Sequence, residues 1–311
     1  MAESILHIKD SYFFEVPRFI ARWFDWNSLD QVPKWLRDAH PELKNIQQWN
    51  EALAGKILIP QWFGTPRNLY ESASGFCLSK FMILELVACV ILVVFFVRLA
   101  QKVRKGGVPR GSLWNMAEAI LEYLRDNVAR PAIGVHDADR FVPLLWTVFL
   151  FILTCNLLGM IPWAGSPTGS FGVTLALAAV TFATVLISGM IRFGVVGYWL
   201  NQVPHMELPL LFYFLIPIIW LIEVGGMFIR HLVLAVRLLA NMVAGHLVLL
   251  AILGVIALAA GSSPGQWALV TVIAVVGSAM LSLLELFVAF LQAYVFTFLS
   301  ALFIGMAIHK H

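Results

Sequence analysis

Two apolar runs, Leu208 to Ala260 and Gln266 to Ile308, are each about twice as long as the roughly 20 residues that cross a bilayer as a helix, and only "GSSPG" separates them. Backbone polar groups in lipid must be paired within the segment itself, so a continuous apolar run of this kind is helical. Each run is either a helical hairpin or one long, steeply tilted helix. Neither holds a polar turn, which favours the tilted helix despite Pro209, Pro217 and the Gly225-Gly226 pair near the start of the first run.

The rest of the chain agrees with a membrane protein. Hydrophobic residues make up 60% and charged residues 13%, against about 25% charged in soluble domains. The net charge of +3 says little, because charge in such proteins matters by its place relative to the bilayer. Nothing points to nucleic acid. Cys77, Cys89 and Cys155 lack metal or redox spacing and read as small hydrophobes, so neither a metal nor a cofactor is expected. The opening "MAESILHIKDSYFFEVP" has no basic start followed by an apolar core, which predicts no cleavable signal peptide.

Residues 1–78 contain no stretch long enough to span and form an extramembrane segment; residues 79–311 form the membrane domain. A first span, about Lys80 to Leu99, leads into "RLAQKVRKGGVPRG", whose Arg98, Lys102, Arg104, Lys105 and Arg110 mark that end as cytoplasmic and place the N-terminus outside. "SLWNMAEAILEYLRDNVARP" follows, with Leu113, Met116, Ile120 and Leu124 at helical spacing and charges opposite, an amphipathic helix for the inner surface that Pro131 ends. Spans from about Phe141 to Pro162 and Gly172 to Ile191 flank the charge-free loop "WAGSPTGS". The expected fold is an all-α integral membrane protein with five crossings, the last two a long tilted hairpin, and its C-terminal "HKH" inside.

Ionisable groups deep in a bilayer cost roughly 3 kcal/mol or more each, so those present are functional candidates. The fourth run carries Glu223, Arg230, His231, Arg237 and His246, with the polar Asn241; the fifth carries Glu285 and Gln292. In a hairpin turning at "GSSPG", the midpoint of Arg237 and Gln292 and that of His246 and Glu285 both fall between Pro264 and Gln266, on the turn. Two polar layers are therefore expected. Their facing directions stay open, because nine residues turn an ideal helix by about 180°. Arg237 and Asn241, four apart, share a face. Arg230 can snorkel toward the inner surface, His231 alone can be a structural hydrogen-bonder, and Lys80 and Glu85 read as anchors at the outer interface. Arg237 has no carboxylate nearby in its own helix.

"RLLANMVAGH" resembles the signature of subunit a of F-type ATP synthases, the stator beside the rotating ring of c subunits. The likeness extends through "RKGGVPRG", "NLLGMIP" at Asn156 to Pro162, "VTLALA" at Val173 to Ala178, Glu223 and "FLQAYVF" at Phe290 to Phe296, in the family's order; the first 75 residues match less specifically. The resemblance implies a bacterial inner-membrane subunit that partners the c ring, b-type peripheral stalk subunits and the rest of the synthase, with no catalytic chemistry or cofactor of its own. It assigns Arg237 the essential position facing the ring's carboxylate, Asn241 and Gln292 beside it, His246 and Glu285 the outer half-channel, Glu223 the inner exit, and Asn156 a place on the outer path. Many bacterial members resemble this pattern with glutamate at the position of His246 and histidine at that of Glu285; here the two are exchanged. Acidic residues that some members carry near Gly159 and Ser170 are absent. Two other classes compete: a haem anchor using His231 and His246, which lacks a second histidine pair on another span, and a substrate transporter, which lacks an internal repeat.

Overall fold

In the computed structural model, the described residues are 10–15, 26, 28–62, 64–66, 69, 73–104, 111–161, 164–202, 216–261 and 263–309. Lys105, Arg110, Pro162, Pro209, Ser262, the start of the fourth run up to residue 215, the opening nine residues and the final Lys310 and His311 lie outside them. The elements run β1 Phe13–Glu15, α1 Lys34–Ala39, α2 Ile46–Ala52, β2 Lys56–Leu58, β3 Thr65–Pro66, β4 Ala73–Ser74, α3 Lys80–Arg104, α4 Ser112–Tyr123, α5 Arg130–Ile133, α6 Ala138–Gly159, α7 Phe171–Phe193, α8 Val195–Leu200, α9 Ile216–Leu258 and α10 Pro264–Ile308. Five of these, α3, α6, α7, α9 and α10, are long and apolar enough to cross a membrane.

Over the described residues, both long runs are single helices. α9 has 43 residues and α10 has 45, about 64 and 68 Å at 1.5 Å per residue. Either is more than twice the roughly 30 Å of a hydrocarbon core. Pro217 sits in the first turn of α9, where a helix needs no N–H from it, so it does not break the helix.

The described chain divides into two compact units. The first contains Met1–Ala88, Cys155–Ser170 and Val243–Ser282. Its N-terminal segment has a small core of its own, in which Phe13, Val32, Leu36, Trp49, Leu53 and Leu69 are buried together. β1 and β2 pair antiparallel, Phe13 opposite Leu58. This segment is tied to the start of α3, since the Lys80 amide donates to the Ser11 carbonyl at 2.8 Å. Lys80 corrects the expectation of an interfacial anchor. It is fully buried, and a Cβ at Gly165, whose φ is +79°, would come within 3.0 Å of its Nζ.

The second unit contains Cys89–Thr154, Phe171–Met242 and Leu283–His311. Here Pro131 does not end the amphipathic helix. A π-wound stretch, Leu124–Ala129, precedes it and the chain stays helical to Ile133, where Gly134 at φ +101° terminates it. The wider π turn accommodates a residue that has no N–H to give and whose ring crowds the preceding turn. The buried stripe is also displaced from the expected one: Ala117, Leu121, Leu124 and Val128 are buried, whereas Met116 is exposed. Trp146 of α6 donates its indole N–H to the Leu121 carbonyl at 2.9 Å. At the other end of the unit, Gly305 of α10 passes so close to α5 that a Cβ there would collide with the Ala132 carbonyl.

Candidate functional site

The candidate polar residues of the second unit, from Glu223 to Asn241 and from Glu285 to Gln292, fall on α9 and α10. Glu223 and Arg230, seven apart, sit two turns from each other on one face, and the Arg230 guanidinium donates to the Glu223 carboxylate. Arg230 is therefore paired within its helix and not merely extended toward an aqueous surface. His231 is buried; its Nδ1 donates to the Met227 carbonyl at 2.9 Å, and its ring lies between Phe182 at 5.0 Å and Phe303 at 4.9 Å. Because a carbonyl only accepts, that bond fixes the proton of the neutral ring on Nδ1 and leaves Nε2 as an acceptor.

Arg237 stands in contrast. Its Nε and Nη2 are buried and meet no hydrogen-bond acceptor among the described residues, and the same holds for Gln292 Nε2. Gln292 and Glu285 on α10 are both buried, 4% and 6% exposed. Asn241, one turn beyond Arg237, is partly buried. The structure thus joins Glu223 to Arg230 and gives neither Arg237 Nε and Nη2 nor Gln292 Nε2 an acceptor among the described residues.

Asn156 and His246 belong to the first unit. Asn156 is fully buried near the end of α6 and accepts from the Thr168 hydroxyl at 2.8 Å, with the Ser166 hydroxyl 3.0 Å from that of Thr168. His246 Nε2 donates to the Gly159 carbonyl at 3.1 Å. Gly159 ends α6, so that carbonyl has no partner inside its helix and the imidazole supplies one.

Sequence reasoning missed four residues. Ser166 and Thr168 looked like an uncharged loop, and their signal was a buried asparagine twelve residues upstream that needed donors. Tyr198 on the short α8 is 1% exposed and its hydroxyl reaches Met227 Sδ at 3.4 Å; burial pushes its phenol up from the ordinary value. With Gln202 it lines a cavity beside Glu223, Arg230 and His231. Nothing in the spacing of α8 marked it.

The family described as the ATP synthase A chain matches residues 82–305 of this sequence. The chain belongs to that family. Among its relatives, a subunit a from an Anaeromyxobacter species is 35% identical over 98% of this chain and 70% of its own length. One from Myxococcus xanthus is 37% identical over 86% of each chain, and one from Anaeromyxobacter dehalogenans is 43% identical over 67% of this chain and 52% of its own. A multi-pass membrane subunit a accounts for the five long apolar helices and leaves the haem anchor and the substrate transporter without support. Among the described residues no cluster of His, Cys, Asp or Glu could hold a metal.

Proposed function

We propose that this chain is the proton-conducting stator of the synthase membrane sector, with two offset half-channels opening on a rotating c ring and Arg237 between them. The observation that carries the reading is Arg237 itself, a partly buried arginine whose Nε and Nη2 are buried without an acceptor among the described residues, on a helix whose one described carboxylate is engaged by Arg230. A charge buried this way is costly, and a carboxylate brought by a partner repays that cost.

Arginine has no accessible neutral form, so it cannot pass a proton on, and its charge favours the ionised form of a nearby carboxylate. A protonated ring carboxyl that reaches Arg237 gives its proton to the inner path through Glu223. The carboxylate moves past, and is reprotonated from the outer path. Proton passage is thereby tied to rotation. Glu285 is the exchanging carboxyl of the outer path, with His246 and Asn156 on its entry, while Asn241 and Gln292 support the arginine.

The same reading puts residues 1–78 on the outer face of a bacterial inner membrane and residues 79–311 in it, with the N-terminus outside, the C-terminus inside, the amphipathic helix on the inner surface and b-type stalk subunits as further partners. The positive cluster after α3 supports that orientation. The test is Arg237→Ala: ATP synthesis, normalised to assembled complex, should stop. Normal synthesis at normal assembly would end the gating reading.

A further inference from the structure

The cavity beside the Glu223–Arg230 pair holds a group that neither the gating scheme nor the family resemblance uses. It encloses about 60 Å³ and is lined by Tyr198, Gln202, Glu223, Arg230 and His231, with Phe303 on the α10 side. A water needs roughly 10–15 Å³ of such space and two to four polar partners, so this volume and lining suit a short chain of waters. His231 is 5% exposed, and its Nε2 is buried with no hydrogen-bond partner among the described residues. The Met227 carbonyl holds Nδ1–H, and the Phe182 and Phe303 rings fix the imidazole plane. The ring is oriented from one side and idle on the other.

A purely structural histidine satisfies both nitrogens or turns one to solvent, since an idle buried polar atom loses its hydration without a replacement bond. Glu223, the neighbouring carboxylate, accepts from Arg230, and His231 Nε2, without a partner among the described residues, offers the cavity a second acceptor. We propose that His231 is a proton-exchanging residue of the inner path, taking a proton at Nε2 from the cavity and returning it toward the inner side. In the first step an O–H bond of a protonated water or carboxyl breaks and the Nε2–H bond forms, making the imidazolium while Nδ1–H stays on Met227. In the second that N–H bond breaks and a water oxygen receives the proton, so the ring ends as it began. The groups facing the cavity that carry or exchange charge are Glu223, Arg230 and Tyr198.

This rests on the proposed gating role, and the test separates the two. Whole complexes carrying His231→Gln, His231→Ala or Arg237→Ala are assayed in vesicles for ATP synthesis and ATP-driven proton pumping, normalised to assembled complex, with and without added imidazole. Glutamine keeps a donor for the Met227 carbonyl but cannot exchange a proton, so synthesis in His231→Gln should fall roughly tenfold or more. Imidazole should restore pumping to His231→Ala and do nothing for His231→Gln, whose side chain still fills the site. A smaller loss than that in assembled His231→Gln, or an assembled His231→Ala that imidazole does not revive, overturns the inference. Should His231→Ala not assemble, the glutamine variant decides alone by the same threshold. Normal synthesis in Arg237→Ala defeats the gating reading whatever His231 does; loss there with normal His231→Gln defeats this inference only.

Discussion

Seven residues along α9 separate Arg230, whose guanidinium binds the Glu223 carboxylate, from Arg237, whose Nε and Nη2 are buried without an acceptor among the described residues. Both are arginines in an apolar helix, and both charges cost free energy to place there. The first is neutralised by a carboxylate on its own helix. The second is not, since two of its nitrogens find no acceptor among the described residues, and on the proposed reading a ring carboxylate supplies the counter-charge. A paired charge of this kind shapes a cavity or a path. On the proposed reading, an unpaired one is where a partner's carboxylate arrives.

The sharpest way to break that contrast is to keep the charge and change its shape. Lysine is a compact point charge without the planar fork of arginine. Arg237→Lys should leave synthesis severely reduced in assembled complex, whereas Arg230→Lys, still opposite Glu223, should retain most of it. Equal losses in the two variants, measured as ATP synthesis per assembled complex, would erase the distinction.

Glu285→Gln comes next in expected effect. The amide fills the same buried space but cannot exchange a proton, so proton-driven synthesis should fall strongly with assembly preserved. Unchanged synthesis would place the outer path elsewhere. A change in packing should act in the opposite manner, on assembly first. Gly305→Ala forces a methyl against the Ala132 carbonyl, which should destabilise by about 1–3 kcal/mol. It should lower the amount of folded subunit recovered from the membrane, while the complexes that form still couple. Smallest is Thr168→Val, which removes the hydroxyl bonded to Asn156 and should cost about 1 kcal/mol, read as a modest drop in thermal stability with synthesis retained.

The five spans and, over the described residues, the one-helix character of both long runs were legible because lipid leaves an apolar stretch few options: no polar turn in the run meant no break in α9 or α10. Arg237 stands out in the sequence for the same reason, as a charge with no carboxylate nearby in its own helix, and two of its nitrogens have no acceptor among the described residues. Pairings across two turns were harder. Glu223 and Arg230 each stood out, yet their bond depends on long side chains reaching along the helix face, which hydropathy does not encode. The π turn before Pro131 lies beyond what a strict 3.6-residue period can show, because that stretch is wound more loosely. Lys80 was misjudged as an anchor since its burial comes from the N-terminal segment and Gly165, contacts distant in sequence. Tyr198 gave no signal at all; a six-residue helix carries too little pattern to announce which side chain it buries.

The central claim is that Arg237, and not merely any arginine on α9, keeps the two half-channels apart while it awaits the ring carboxylate. Potential-driven proton flux through membrane sectors in vesicles, with the catalytic sector removed and flux normalised to assembled sector, tests it most directly. Without the arginine a neutral ring carboxyl can linger between the half-channels and pass protons from one to the other. The expected result is a membrane made proton-permeable by Arg237→Ala and left tight by Arg230→Ala. An assembled Arg237→Ala sector as tight to protons as the Arg230→Ala one would contradict it.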